Sequence, residues 1–223
     1  MSNEKEIYGE IINCDNMHSS AVVEDSVEKY EAGTPEYLAP AAEITHEPNV
    51  TPNKRYYDGK LRFVDMVDGD GNVKIVVSGI PYSKAAELTG KHYNAETGEL
   101  YDAGTPKKAP WRTLSGRMEL AGGEYRYFNY LKGKFSLGNE QARTKEDNIT
   151  VNTTELTFTP AVTIHEFQLD ADTVGGVKAV KADTTDTKFT KKDTWFDKIQ
   201  TPPEVNAANA ANAANAEPED EEA

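Results

Sequence analysis

The chain has 223 residues, of which 37% are hydrophobic and 9% aromatic, a composition that supports a packed core and excludes general disorder. Its formal net charge of −14 argues against a protein that grips phosphate backbones, because such proteins displace counterions with basic surfaces. A single cysteine, Cys14, excludes a disulfide within the chain.

The first 60 residues indicate an extended, loop-rich region. EIYGEIIN (6–13) has the apolar spacing of a first strand, and residues 13–60 follow as a long arm because prolines and glycine interrupt short apolar pieces. No basic region precedes an apolar run here, and no stretch approaches the ~20 apolar residues of a membrane helix. We therefore expect no signal peptide and no membrane partner.

Residues 60–67 and 73–80 flank the turn DGDGN and predict a β-hairpin. DGDGN also resembles the start of a calcium-binding EF-hand loop. That interpretation fails because position 6, which requires glycine, is Val73, and position 12, which requires glutamate, is Gly79.

The segment YSKAAELTG (82–90) predicts one short helix. Ser83 is expected to cap its start and Gly90 to close its end. Ala86 and Leu88 are expected to pack it against a sheet.

Residues 94–110 then predict a long turn-rich connection, and residues 111–120 and 124–135 a second hairpin around Ala-Gly-Gly. Valine, isoleucine, threonine and tyrosine are frequent throughout, and turn residues recur at short intervals. Together these features indicate a mainly β protein.

The strand at 124–135 combines aromatic with basic residues in a strongly acidic chain. It is either a platform for nucleic acid, which the net charge disfavours, or a half-buried strand paired with acidic neighbours. Those neighbours belong to the same chain or to another subunit. Strict alternation gives it two mixed faces, one with Leu131 and the other with Lys132, which is typical of a subunit interface. The predicted subunit contacts are Tyr125, Arg126, Tyr127, Tyr130, Lys132, Lys134, Trp111 and Trp195.

Trp111 and Trp195 each begin a predicted element beside charged residues. We interpret them as core or interface packing. In the alternative interpretation they stack on sugars, and the chain is a soluble β-sandwich module that binds carbohydrate or another ligand.

The last third of the chain contains weaker signals. Residues 147–164 predict one or two strands, GGVKAVKAD (175–183) another, and DTWFDKI (193–199) a packed closing segment. The pattern stops near Pro203, so we expect a β domain over residues 1–203. An Asn-Ala-Ala repeat with an acidic end follows, and it is predicted to be a flexible tail over residues 204–223.

No arrangement of residues indicates catalysis. The four histidines, His18, His46, His92 and His165, are more than four residues apart, and Cys14 has no basic neighbour in sequence. Nucleophile-elbow, phosphate-loop and dinucleotide fingerprints are missing. We therefore expect neither an enzyme nor a metal or cofactor site.

LTGKHYNAETGELYDAG (88–104) and RYFNYLKGKFSLGNEQARTKEDNITVNTTELTFTP (126–160) together resemble the major tail protein family of long-tailed, non-contractile bacteriophages. The shared pattern is a helix ending in Leu-x-Gly, an acidic turn, a Tyr-Arg-Tyr strand, Tyr-x-Lys-Gly-Lys-Phe and a Thr-rich strand. The resemblance covers roughly residues 7–203 and is strongest over residues 80–165.

The resemblance implies a tail-tube-type β-sandwich or barrel with one short flanking helix and long extended loops. Six copies would form a ring, and stacked rings a tube through which DNA passes without sticking. The implied partners are further copies of the chain, the tape measure protein, the tail terminator and the distal tail protein. The implied location is the virion tail, assembled in the host cytoplasm.

Overall fold

The computed structural model describes residues 9–69, 71–103, 108–138 and 153–205. These residues form one helix, α1 (Tyr82–Thr89), and a majority of strand, so the mainly β prediction is confirmed. In chain order the strands are β1 Ile11–Ser19, β2 Val22–Asp25, β3 Tyr30–Ala32, β4 Glu36–Tyr37, β5 Ala41–Glu47, β6 Val50–Tyr57, β7 Lys60–Asp68, β8 Asn72–Val77, β9 His92–Asn94, β10 Glu99–Tyr101, β11 Arg112–Leu120, β12 Tyr125–Leu137, β13 Thr154–Pro160, β14 Glu166–Gln168, β15 Val174–Gly176 and β16 Ala179–Asp183.

One antiparallel sheet organises the domain. Its strands lie in the order β4, β1, β11, β12, β13, β8 and β5, and β16 pairs with β12 beside β13. The sheet curls until β1 and β5 come into contact. The main core is enclosed between its two halves, an arrangement consistent with a β-sandwich.

Alternate side chains of the strands fill this core, because successive side chains in a strand point to opposite faces. On β8, for example, Val73, Ile75 and Val77 are buried while the residues between them are more exposed. Helix α1 closes the core with Leu88, which is fully buried. The other core residues include Met17, Leu114, Phe128, Tyr130, Phe135, Leu156 and Phe158.

The longest strand, β12, contains a bulge that strict alternation does not predict. Arg112 is opposite Gly133 and Leu114 is opposite Tyr130, so one residue of β11 faces two of β12, Leu131 and Lys132. The bulge reverses the faces, because Tyr130 before it and Phe135 after it both enter the main core. The predicted two-face division of β12 is therefore wrong beyond Tyr130.

The hairpin predicted from residues 60–67 and 73–80 is also wrong, although both strands exist. Strand β7 pairs with β6, whereas β8 pairs with β5 and β13. The turn before β7 is Asp58-Gly59, with φ of 52° and 72°, the positive values that a two-residue hairpin loop requires. Tyr57 and Lys60 pair directly across it.

The predicted helix is confirmed, and Gly90 ends it with a φ of 73°. Ser83 does not cap its start. The helix begins at Tyr82, so Pro81 occupies the cap position and makes no side-chain cap hydrogen bond. Within the described ranges, no helix has the length and apolar character that a membrane crossing requires.

Other predictions are confirmed in part. Strands β11 and β12 form the second hairpin, and β13 and β16 are the later strands. Residues 94–110 are not wholly loop, because β9 and β10 form a short hairpin. The expected arm over residues 13–60 is mostly strand, from β1 to β6. Predictions for residues 1–8, Asp70, 104–107, 139–152 and 206–223 lie outside the described residues.

Gly133 should be intolerant of any side chain. A Cβ placed on it would lie 2.3 Å from Cζ of Phe158 and 2.6 Å from the carbonyl oxygen of Thr159. We expect Gly133→Ala to lower the free energy of unfolding by about 1–3 kcal/mol in urea denaturation, because the core is overpacked. Gly175→Ala is the matched control, since its nearest neighbour, Cδ1 of Leu169, is 3.6 Å away, and should change stability by less than about 0.5 kcal/mol. Equal losses in both variants would contradict this packing.

Candidate subunit interface

Lys132, predicted to contact another subunit, has its partner inside the chain. It forms an ion pair with Asp25, the last residue of β2, and the two side chains are only 7% and 5% exposed. Asp25 also accepts hydrogen bonds from the backbone N–H groups of Ile164 and His165, at 2.9 and 3.0 Å. Such additional bonds are what a buried ion pair needs if attraction is to offset desolvation.

These contacts fix the charge of Asp25. Burial alone would raise the pKa of its carboxyl group, but the hydrogen bonds from Lys132 and from the amides of His165 and Ile164 outweigh that effect. The pKa of Asp25 therefore lies below its ordinary value. At neutral pH the carboxylate is ionised and neutralises the buried lysine.

Trp111 lies against the same lysine. The Nζ atoms of Lys132 and Lys134 are 4.6 and 4.4 Å from the centroid of its ring, within cation–π distance. Trp111 is 37% exposed, so part of its ring remains at the surface. The tryptophan thus connects a buried lysine to a half-buried one.

The arginines near the start of β12 are also neutralised within the chain. Arg126 is paired with Asp183 on the neighbouring strand β16, at 2.8 Å. Arg117 on β11 makes two bonds to Asp15, of 2.6 and 3.0 Å, and its guanidinium lies 4.4 Å from the centroid of Tyr125. The acidic partners expected from the sequence are therefore found in the same chain, and a nucleic-acid platform is left with few free cations here.

Aromatic residues of the closing segment cover Tyr127. Its ring centroid lies 5.4 Å from that of Trp195 and 5.6 Å from that of Phe189. Trp195 is 3% exposed, so it is a packed residue, as first interpreted, and presents no ring face to a sugar. On the opposite face, the hydroxyl of Tyr130 lies 2.8 Å from Nδ1 of His46.

Of the eight predicted contact residues, Tyr127, Tyr130, Lys132 and Trp195 are buried by their own chain. The cover that we expected from a second subunit is intramolecular for these four. Subunit contact stays a prediction for the four that reach the surface, which are Tyr125, Arg126, Lys134 and Trp111.

A different element is left uncovered. Strands β6 and β7 form a two-stranded hairpin, which we call the ribbon, and every residue from 50 to 67 is exposed. Among the described residues, no other strand or helix packs closely against it. An isolated two-stranded hairpin is marginally stable in water at best. We therefore expect the ribbon to be stabilised by contact with another surface.

The two faces of the ribbon differ. Cross-strand partners share a face, and the pairs Pro52–Met66, Lys54–Val64 and Tyr56–Leu61 define what we call the apolar face, to which Val50 also belongs by alternation. Its large apolar side chains are 45–69% exposed. These large side chains are Val50, Tyr56, Leu61, Val64 and Met66.

The opposite face of the ribbon has polar and aromatic contacts of its own. Arg55 forms an ion pair with Asp65 and lies 5.9 Å from the ring centroid of Phe63. Tyr57 meets the same ring edge-on, at 5.9 Å between centroids. Tyr57, Phe63 and Val67 of this face are still 52–57% exposed, so the two faces differ in that the opposite face has an ion pair and a ring contact of its own.

The sequence did not predict the ribbon, because residues 60–67 were expected to pair with residues 73–80 and not with β6. The signal was present: Asp58-Gly59 separates two segments of strand-forming residues by the two positions of a tight hairpin. DGDGN, the turn that the sequence was expected to use, also contains Asp-Gly.

Neither a search for metal-binding groups nor comparison with known proteins suggests a function for this chain. Among the residues that the structure describes, no three His, Cys, Asp or Glu side chains are grouped so that they could hold a metal ion. No protein-family model matches the chain, and no curated protein is significantly similar to it. Functional inference therefore rests on the chain's own geometry.

Asp25→Asn should be strongly destabilising. The substitution leaves Lys132 buried without a countercharge, and we expect the free energy of unfolding at pH 7 to fall by about 3–5 kcal/mol in urea denaturation. Arg126→Gln is the control, because it breaks a more exposed ion pair and should cost about 1 kcal/mol or less.

The effect of Asp25→Asn should also depend on pH. The folded-state pKa of Asp25 is below the unfolded value of about 3.9, so its stabilisation is complete above that value and is lost as pH falls through the folded-state pKa. The stability difference between the wild type and Asp25→Asn should shrink over that acid range. A difference that stays constant down to pH 2 would contradict an ionised Asp25.

Proposed function

We propose that this chain is the repeating subunit of a bacteriophage tail tube. In this proposal six copies form a ring, and stacked rings form the conduit through which DNA enters the host. The observation that carries it is the uncovered apolar face of the ribbon on a domain whose main core is packed by its own strands and helix. Such a face is typical of an element that is completed by another protein surface.

The size of the apolar face sets what one contact can achieve. Its side chains are about half exposed, so burying them fully would contribute on the order of 5–9 kcal/mol. Association costs on the order of 4–15 kcal/mol in lost freedom of motion. A single ribbon contact is therefore marginal, and stable assembly needs several contacts per copy, as a closed ring provides.

Charge favours a second copy as the partner. Residues 50–68 carry four basic and three acidic side chains, a net charge of +1, which leaves −15 on the rest of the chain. Two ribbons would repel each other weakly, whereas a ribbon placed on an acidic body is attracted. Contact between unlike surfaces of identical copies is heterologous, and it generates rings or helical filaments.

The same charge suits a DNA conduit, because an acidic wall repels phosphates and allows DNA to slide. We assign no reaction to the chain. The proposed partners are further copies of the chain and, at the ends and inside of the tube, the tail terminator, distal tail and tape measure proteins. The proposed location is the virion tail after assembly in the host cytoplasm.

Assembly should depend on the apolar face. Negative-stain images of the concentrated wild type should contain six-fold rings or tubes, and sedimentation should show large species. We expect Val64→Glu/Met66→Glu to raise the concentration needed for assembly at least tenfold, because two carboxylates must then be desolvated. The matched control, Thr51→Glu/Asn53→Glu, places the same charges on the opposite face.

Circular dichroism and urea denaturation should be unchanged in both variants, because all four sites are exposed. If the control impairs assembly as much as the test variant, the apolar face is not the contact. A wild-type chain that stays monomeric at high concentration and in the presence of tail tips refutes the proposed function.

A further inference from the structure

A cavity of about 500 Å³ lies at the root of the ribbon, where β5 ends and β8 begins. Gly69 and Gly71 line one side, and Lys178 and Lys181 of the β15–β16 segment line the other. The Nζ atom of Lys178 donates a hydrogen bond to the carbonyl oxygen of Gly69, at 2.9 Å. The cavity therefore lies between the domain body and the base of the exposed hairpin.

This cavity is positively charged in an acidic protein. Lys178 and Lys181 form no ion pair with any carboxylate of the described residues. Glu47 also lines the cavity, but it is already bound by Lys74 at 2.8 Å. Burial and, second to it, the charge of Lys181 lower the pKa of the adjacent His46 to about 4.

The end of the described chain is held against β14 and the residue before it. Glu204 forms a β-bridge with Phe167, and its carboxylate lies 2.8 Å from Nε2 of His165. Val205 and Val174 line a second cavity, of about 330 Å³. From Val174 the chain continues through β15 directly to Lys178 and Lys181.

The remaining sequence is long enough to reach the lysines. Lys181 is seven positions after Val174, and with the width of the cavity that Val174 shares with Val205 the distance from Val205 to Lys181 is at most about 35 Å. Residues 206–216, the Asn-Ala-Ala repeat, number eleven and can extend to about 38 Å. Residues 217–222, which follow, contain five carboxylates; we call them the acidic segment.

We propose that the acidic segment of each chain binds the cavity at its own ribbon root, with Lys178 and Lys181 as the charged contacts. Charge favours a basic site, because a segment of five carboxylates is repelled by most of a body whose net charge is already negative, and the cavity offers two lysines. The Asn-Ala-Ala repeat then acts as a spacer of sufficient length. Its lack of large apolar side chains leaves the apolar face of the ribbon uncovered.

One consequence rests on the proposed function. A bound acidic segment adds negative charge beside the ribbon and weakens its attraction to the acidic body of a second copy. The bound segment would then slow assembly, and a neighbouring copy would have to displace it. Binding itself does not depend on assembly, so the two proposals can fail separately.

The primary test uses a chain ending at Val205 and a fluorescent peptide of residues 206–223. Fluorescence anisotropy should detect binding that weakens as salt rises. Lys181→Glu should weaken binding about tenfold. The matched control is Lys192→Glu, which reverses another exposed lysine without an ion pair among the described residues, and it should change binding by less than about twofold. A peptide with Gln and Asn in place of its acids should not bind.

Lack of binding, equal loss in both lysine variants, or binding of the neutral peptide would each overturn the proposal. Hydrogen exchange of the full chain and the truncated chain identifies the source of the segment. At concentrations where sedimentation shows monomer, protection of residues 46–48 and 176–181 should require residues 206–223 and should not change on dilution. Protection that disappears on dilution would mean that a second copy supplies the occupant, which also overturns the proposal.

Discussion

The ion pair between Lys132 and Asp25 is the contact on which the packing of the domain depends. The domain has a main core and a smaller second core, and the ion pair lies next to the second one. The β12 bulge places Lys132 next to Leu131, on the side of the strand where a second core forms with Phe167 and Ile199. A charged amine there is tolerated only with a countercharge, because an unpaired buried ion costs several kcal/mol. Asp25 supplies that countercharge and, through two backbone amides, also holds the segment that leads into β14.

This arrangement explains which features of the fold follow from sequence and which do not. The helix, the β11–β12 hairpin and the packed closing segment follow from local signals, such as the αL glycine Gly90 and the turn at Gly122 and Gly123. The partner of Lys132 does not, because Asp25 is 107 residues away and a long-range contact leaves no local pattern. The bulge is equally invisible, since one extra residue in a strand looks like ordinary alternation until its partner strand is known.

The pairing of β7 was missed for a related reason. Asp-Gly dipeptides lie on both sides of residues 60–67, one before them and two after them, and an Asp-Gly dipeptide is a valid hairpin turn. Burial decides between them: β8 has alternate side chains in the core, whereas β7 has none. A strand that belongs to the core pairs with core strands, and the exposed strand is left to pair with its nearest neighbour along the chain. The exposed hairpin was therefore not predicted, and the sequence directed attention to β12 alone.

The chain thus has two kinds of surface: one covered by contacts within the domain, and one left exposed on the ribbon. Buried aromatic and basic residues of β12, such as Tyr127 and Lys132, have their partners within the domain. The ribbon has none of this cover, and its apolar face is too small to hold a partner firmly by itself. A strong internal fold with a weak external contact is what reversible addition of subunits requires, because each copy must fold before it adds and a single misplaced contact must be able to dissociate. In the proposed ring, repetition of the weak contact would supply the stability that one contact lacks.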